Sequence, residues 1–201
     1  MTEQRDVPTG AAWPEGARIA LSLVVNIEEG AECSLLRGDP HNEWVEDTLE
    51  RLEGVPDVRM ESHSAYGRHT GFRRVMDVLS SFGVRATFSS CGRAMAESPW
   101  LAVIPAEAGH KVLPHGWQWE KHAAMAEPEE REAIARTVAA IARARGRRPV
   151  GWHTRSSASA NTRRLLAEEG GFLSDRDAYD DDLPYAVPAA GRPRRACCRS
   201  G

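Results

Sequence analysis

Glu28 and Glu29 stand side by side at the end of an apolar run and just before Gly30. Two carboxylates held that close and partly desolvated repel each other, which raises one pKa towards the range of a general base working near neutral pH. The same pair also reads as a solvated turn from strand to loop. His115 follows Lys111-Val-Leu113 and precedes Gly116, Trp117 and Trp119. An imidazole there offers a metal ligand, a general acid, an electrophile, or a hydrogen-bonded structural residue. Trp117, Trp119 and Trp152 are core packing on the simplest reading, although tryptophans at strand ends also wall sugar and heterocycle pockets. Arg155 closes the run Trp152-His-Thr-Arg155, and a guanidinium there either holds a carboxylate in a fixed geometry or forms a surface salt bridge. Asp180-Asp181-Asp182 reads as a solvated acidic turn, because a cation needs converging ligands and the run shows no such spacing.

The elements that must position these residues alternate between strand and helix. Ile19, Leu21, Leu23 and Val25 recur at period two within 17–26, the pattern of a largely buried strand. Residues 31–69 are polar and broken by Gly38-Asp39-Pro40 and Gly54-Val55-Pro56, and read as a long irregular connection. Phe72, Val75, Met76, Leu79 and Phe82 have helical spacing, stopped by Gly83. Strands are expected at 84–90, 111–113, 149–152 and 172–173, with helices at 99–108 and 127–145 and one capped by Asn161. The helix at 127–145 is the clearest, with acidic residues in its first turn, arginines at its end and Ile134, Val138 and Ile141 as its buried stripe. Such alternation predicts an α/β fold with a parallel sheet or barrel, whose chemistry lies at the carboxyl ends of the strands. Asn26-Ile-Glu-Glu-Gly30, Ser89-Ser90, His115-Gly-Trp117, Trp152-His-Thr-Arg155 and Asp175 all fall at such ends.

Composition bounds the partners. The chain has 201 residues, 41% of them apolar, enough for one sizeable core. The net charge of −3, with both signs interspersed, gives no nucleic-acid or anionic-membrane surface. Residues 1–16 are polar and read as a flexible segment without a signal peptide, and no apolar run is long enough to span a bilayer, so a cytoplasmic protein is expected. Cys33, Cys91 and Cys197-Cys198 show neither a CxxC nor a Cys/His zinc spacing, which predicts no disulfide framework and no structural zinc.

Taken in order, Val25-Asn-Ile-Glu-Glu-Gly30, Glu61-Ser62 with Tyr66-Gly67, Glu107-Ala-Gly-His110, His115-Gly-Trp-Gln-Trp119, Gly151-Trp-His-Thr-Arg155, Ser159–Leu166, Glu168–Leu173 and Asp181-Asp-Leu-Pro-Tyr185 resemble the polysaccharide deacetylase superfamily, carbohydrate esterase family 4. The allantoinase-like branch is the nearer match. The resemblance implies a distorted, incomplete (β/α) barrel over 17–187 and a hydrolase of non-peptide C–N bonds. Its substrate would be a small ureide or N-acyl compound, with a homo-oligomer as the assembly. Glu28 falls at the family's catalytic base, Glu29 at a metal-ligand aspartate, His115 at the first histidine of the His-x-x-x-His pair and Arg155 at the arginine that orients the base. Glu61 joins Trp117, Trp119 and Trp152 as the substrate-binding set. Trp119 replaces the second histidine and Ala158 a usual proline. With one imidazole gone, a catalytic zinc loses the roughly three protein ligands it needs, so the expectation is an acid/base site without a tightly held metal; His122 is the remaining imidazole that could substitute.

Two other functions stay open at this point: a metal-dependent deacetylase of N-acetylated sugars, and a non-catalytic remnant or ligand-binding module. Residues 188–201 are basic, lack apolar periodicity and resemble no part of the family, which reads as an out-of-frame or truncated end, with a basic interaction tail as the alternative.

Overall fold

Three short strands, β1 (Val24–Ile27), β2 (Thr87–Ser90) and β3 (Lys111–Pro114), lie side by side in that order and are all parallel. The computed structural model describes residues 16–45, 50–180, 184–189 and 192–197. A second sheet has the order β4 (Gly151–Trp152), β5 (Ser174–Asp175), β7 (Arg192–Cys197), β6 (Tyr185–Ala189), in which only the β6–β7 pair is antiparallel. His153 N donates to Pro114 O at 3.1 Å and carries the parallel path from the end of β3 to the end of β4. The crossovers are helical: α1 (Val58–Tyr66), α2 (Phe72–Ser81), α3 (Gly92–Glu97), α4 (Trp100–Glu107), α5 (Glu127–Arg145) and α6 (Thr162–Glu169). The α/β class with parallel strands is the one that strand–helix alternation predicts.

Two cores share one helix. The first joins β1–β3 to α2–α4 through Ile27, Phe72, Phe88, Met95, Leu101 and Ile141. The second joins α5, β4 and α6 through Ile134, Val138, Trp152, Leu165 and Phe172. The stripe of α5 thus divides between them, Ile141 facing one core and Ile134 and Val138 the other. No helix of the described residues is long and apolar enough to cross a membrane.

Several expectations are corrected. The strand foreseen over 17–26 is paired only from Val24, because β2 begins at Thr87; Ile19 and Leu21 are 71% and 84% exposed. The stretch 31–69 is not irregular throughout. It contains a 3-10 turn at Leu35–Arg37 and the whole of α1, which Asp57 caps by accepting from Arg59 N and Met60 N. Asn161 does not cap α6 with its side chain. Ser159 Oγ does so instead, accepting from Asn161 N and Thr162 N. The basic segment after 188 supplies β7, which lies between β5 and β6; ladder pairing needs backbone partners, not apolar periodicity. Of the acidic run Asp180–Asp182, the last two lie outside the described residues, and Asp180 accepts from Tyr185 Oη at 2.8 Å.

Candidate active site

The cluster forms where three parallel strands end. β1 delivers Glu28, β3 delivers His115 and β4 delivers His153 and Arg155, so residues far apart in sequence converge at one end of the sheet. Two glycines make the turns possible. Gly30, at φ 99°, closes the turn in which Ala31 N donates to Glu28 O at 2.9 Å. Gly116, at φ 81°, follows His115, and a Cβ there would stand 3.1 Å from His122 Nε2. Both positions lie in the left-handed region that side chains with a Cβ avoid.

The Glu28 carboxylate is held from three sides. Arg155 Nε donates to Oε2 at 2.7 Å, Asn26 Nδ2 donates to Oε1 at 3.1 Å, and His115 Nε2 stands 3.5 Å from Oε1. His115 Nδ1 lies 2.8 Å from His153 O, and since a carbonyl only accepts, Nδ1 carries a proton and Nε2 faces the carboxylate. Trp119 braces the arrangement: its Nε1 donates to Glu28 O at 3.1 Å and its ring lies 4.2 Å from Arg155 Cζ. The His153 ring lies against His115 with centroids 4.6 Å apart and planes tilted by 34°, and its Nδ1 is 2.9 Å from Ser89 Oγ.

Electrostatics differ from the expectation of a raised carboxylate. Burial pushes Glu28 up, but hydrogen bonds and charge from His115 and Arg155 outweigh it and hold its carboxyl at about 2, below the ordinary 4.5. Glu28 is therefore ionised at neutral pH. His153 is displaced the other way for a base: burial, then the His115 and Arg176 charges, lower its imidazole to about 4, so it is neutral.

Four expected site residues come together: Glu28, His115, Arg155 and Trp119. Glu29 turns away; its carboxylate accepts from Glu28 N at 3.3 Å and its side chain covers Gly67, where a Cβ would meet Glu29 Cγ at 2.7 Å. Glu61 is carried on α1, and among the described residues no hydrogen bond or ion pair joins it to Glu28. Trp152 is no pocket wall. It is fully buried in the second core against Phe172 and His122, with Nε1 donating to Thr154 Oγ1 at 2.8 Å. Trp117 packs on Gly92 of α3 and under Arg136 of α5, whose Cζ lies 4.0 Å from its ring. His153, Asn26 and Ser89 are the contributors that sequence reasoning did not assign. Their only signal was position at a strand end.

The family-type zinc position does not fit these donors. Of the His-x-x-x-His pair only His115 remains, its Nδ1 engaged by His153 O; the neighbouring His153 has its Nδ1 on Ser89 Oγ; Trp119 is a donor and cannot ligate; Glu29 faces Gly67. His122 does not replace the missing ligand, since it is fully buried with Nδ1 on Glu130 at 3.2 Å.

Residues 64–173 match the family described as Polysaccharide deacetylase. A Schizosaccharomyces pombe protein described as a polysaccharide deacetylase is 33% identical over 96% of this chain and 66% of its own length. The crystal structure of PuuE allantoinase superposes with a TM-score of 0.85 at 35% identity, covering 94% of this chain and 64% of that one. A Pseudomonas aeruginosa structure described as a polysaccharide deacetylase gives a TM-score of 0.85 at 36% identity, with 94% and 64% covered. The chain thus spans a little under two thirds of the length of these relatives, and the two solved structures have the (β/α) barrel fold. Convergence of the site at the carboxyl ends of parallel strands and the match over 64–173 give one conclusion: the chain belongs to the polysaccharide deacetylase family.

Proposed function

We propose that this chain carries the acid/base site of a hydrolase of non-peptide C–N bonds, with a cyclic ureide of the allantoin type as substrate. The observation that carries the reading is the Glu28 carboxylate, gripped by Arg155 Nε at 2.7 Å and faced by His115 Nε2 at 3.5 Å. Glu28 and His115 act as one proton-handling pair. Water placed against the ionised Glu28 gives up a proton as its oxygen bonds to the substrate carbonyl carbon. The proton taken up by Glu28 passes to His115 Nε2, which delivers it to the departing nitrogen as the C–N bond breaks, so that Glu28 ends ionised and His115 keeps only its Nδ1 proton. Arg155 is a positioning residue, and Trp119 sets Arg155 and the Glu28 backbone at once. The departure from a zinc-binding donor set and the likeness to PuuE allantoinase both support a ureide over an N-acetylated sugar.

The test assays the purified chain on allantoin and on chitooligosaccharide, with and without chelator. The expected outcome is chelator-insensitive allantoin hydrolysis that Glu28→Gln or His115→Ala lowers by about 10²–10⁴-fold. Chitooligosaccharide deacetylation abolished by chelator would sink the ureide reading, and full activity in both variants would sink the site.

A further inference from the structure

We propose that Cys33, His41 and Glu43 form a second site, for a divalent cation of the zinc class, which shares no ligand with the Glu28–His115 cluster. Their ligand atoms, one thiol, one imidazole nitrogen and one carboxylate oxygen, all lie within 4.8 Å of one another. No familiar zinc spacing links Cys33 to His41 in sequence; the loop fold makes the constellation. Glu43 N donates to Cys33 O at 2.7 Å, so the two ends of the loop are tied beside each other. Between them, Ser34 N donates to Asp39 Oδ2 at 2.8 Å, and Asp39 is fastened to Arg93 at 2.7 Å. Asn42, buried between His41 and Glu43, accepts from Leu35 N and donates to Leu52 O and Val55 O. The three ligands thus project from a braced frame, as a preorganised site requires.

The donor set selects the cation. Thiolate, imidazole and carboxylate suit zinc, with Zn–S of about 2.3 Å and Zn–N and Zn–O of about 2.0–2.2 Å. Tetrahedral ligand atoms then sit roughly 3.5 Å apart, so the three side chains draw together by about 1 Å on binding. With three protein ligands, the fourth position opens to solvent. Cys33 is only 6% exposed. Its sulfur accepts from Gln118 Nε2 at 3.9 Å, and among the described residues its S–H has no acceptor. Burial, with the charges of Asp39, Glu43 and Glu120 and against that of Arg93, pushes the thiol up to about 11. Glu43 is pushed up as well, by burial and by Glu32, with His41 and Arg155 pulling the other way.

The experiment titrates the purified full chain with Zn²⁺ against a chromophoric chelator, and separately with Co²⁺ followed by absorption. Expected are one equivalent per chain and a thiolate-to-cobalt charge-transfer band. Cys33→Ser removes the band, and His41→Ala, at an exposed position that does not endanger folding, weakens binding about tenfold or more. Glu28→Gln leaves the affinity unchanged. Absence of stoichiometric binding, unchanged affinity in His41→Ala, or a cobalt complex without the thiolate band overturns the proposal, as does loss of binding in Glu28→Gln.

Discussion

Glu28 and Glu29 are neighbours in sequence but not in environment, because successive side chains at the end of a strand point to opposite sides. Glu28 meets Arg155 and His115, whereas Glu29 covers Gly67. Sequence reveals the adjacency and so suggests mutual repulsion; the partners that reverse the shift arrive from β3 and β4, which adjacency cannot show. Glu28, His115 and Arg155 were legible because each follows an apolar strand, while Trp152 was misleading because its burial depends on Phe172 and α6 packing over it. Two predictions belong at this scale. With Glu28 depressed from 4.5 to about 2, the folded state resists its protonation, so its contribution is present above pH 4.5 and lost as pH falls towards 2. His153, lowered from 6.5 to about 4, binds a proton more readily in the unfolded chain, so stability also falls between pH 6.5 and 4. Thermal melts across pH 7 to 2 should therefore show two successive losses, with Glu28→Gln flattening the lower one and His153→Asn the upper. Arg155→Lys should lower kcat about tenfold or more with KM little changed, because an ammonium reproduces neither the Nε geometry nor the stacking on Trp119; an unchanged kcat would remove Arg155 from the positioning role.

α5 was legible from end to end because its apolar stripe, acidic start and basic finish agree with one another. α1 was not, since it buries only Met60 and Ser64 and offers little periodicity; the one signal was Asp57 as a cap. The alternation at 17–23 misled for the opposite reason: a period-two pattern proposes a strand, but only a partner makes one, and β2 begins at Thr87. Packing between elements gives a paired test at two glycines. At Gly92 a Cβ would stand 2.8 Å from Thr137 Cα and 2.8 Å from Trp117 Cε3, so α3 cannot keep its approach to α5 with alanine there. Gly92→Ala should cost about 1–3 kcal/mol in urea unfolding, as overpacking does. At Gly71, in right-handed helical backbone at φ −60°, the nearest atom to a Cβ is 3.7 Å away. Gly71→Ala should therefore stabilise by about 0.5–1 kcal/mol. Equal effects at the two sites would contradict the close approach of α3 to α5.

At the scale of the whole molecule, α5 is the wall common to both cores. Ile141 closes the core under β1–β3, while Ile134 and Val138 close the one beneath β4 and α6. Polar ties reinforce the second contact. Fully buried Glu130 of α5 accepts from Ser159 Oγ at 2.5 Å and from Thr162 Oγ1, and pairs with His122, so the entry to α6 is anchored on α5. The candidate site draws Glu28 and His115 from one side of this wall and Arg155 from the other, so its geometry depends on both cores staying docked. A helix that completes two cores couples their unfolding, because neither can open without exposing the stripe that the other uses. Ile134→Ala and Ile141→Ala should each cost about 2–5 kcal/mol. The more telling readout is hydrogen exchange resolved by segment: each substitution should accelerate exchange in β2 and in α6 alike, although each removes contacts from only one core. If Ile141→Ala frees β2 while α6 keeps its protection, the halves unfold independently, and the Glu28–Arg155 contact joins two units instead of lying within one.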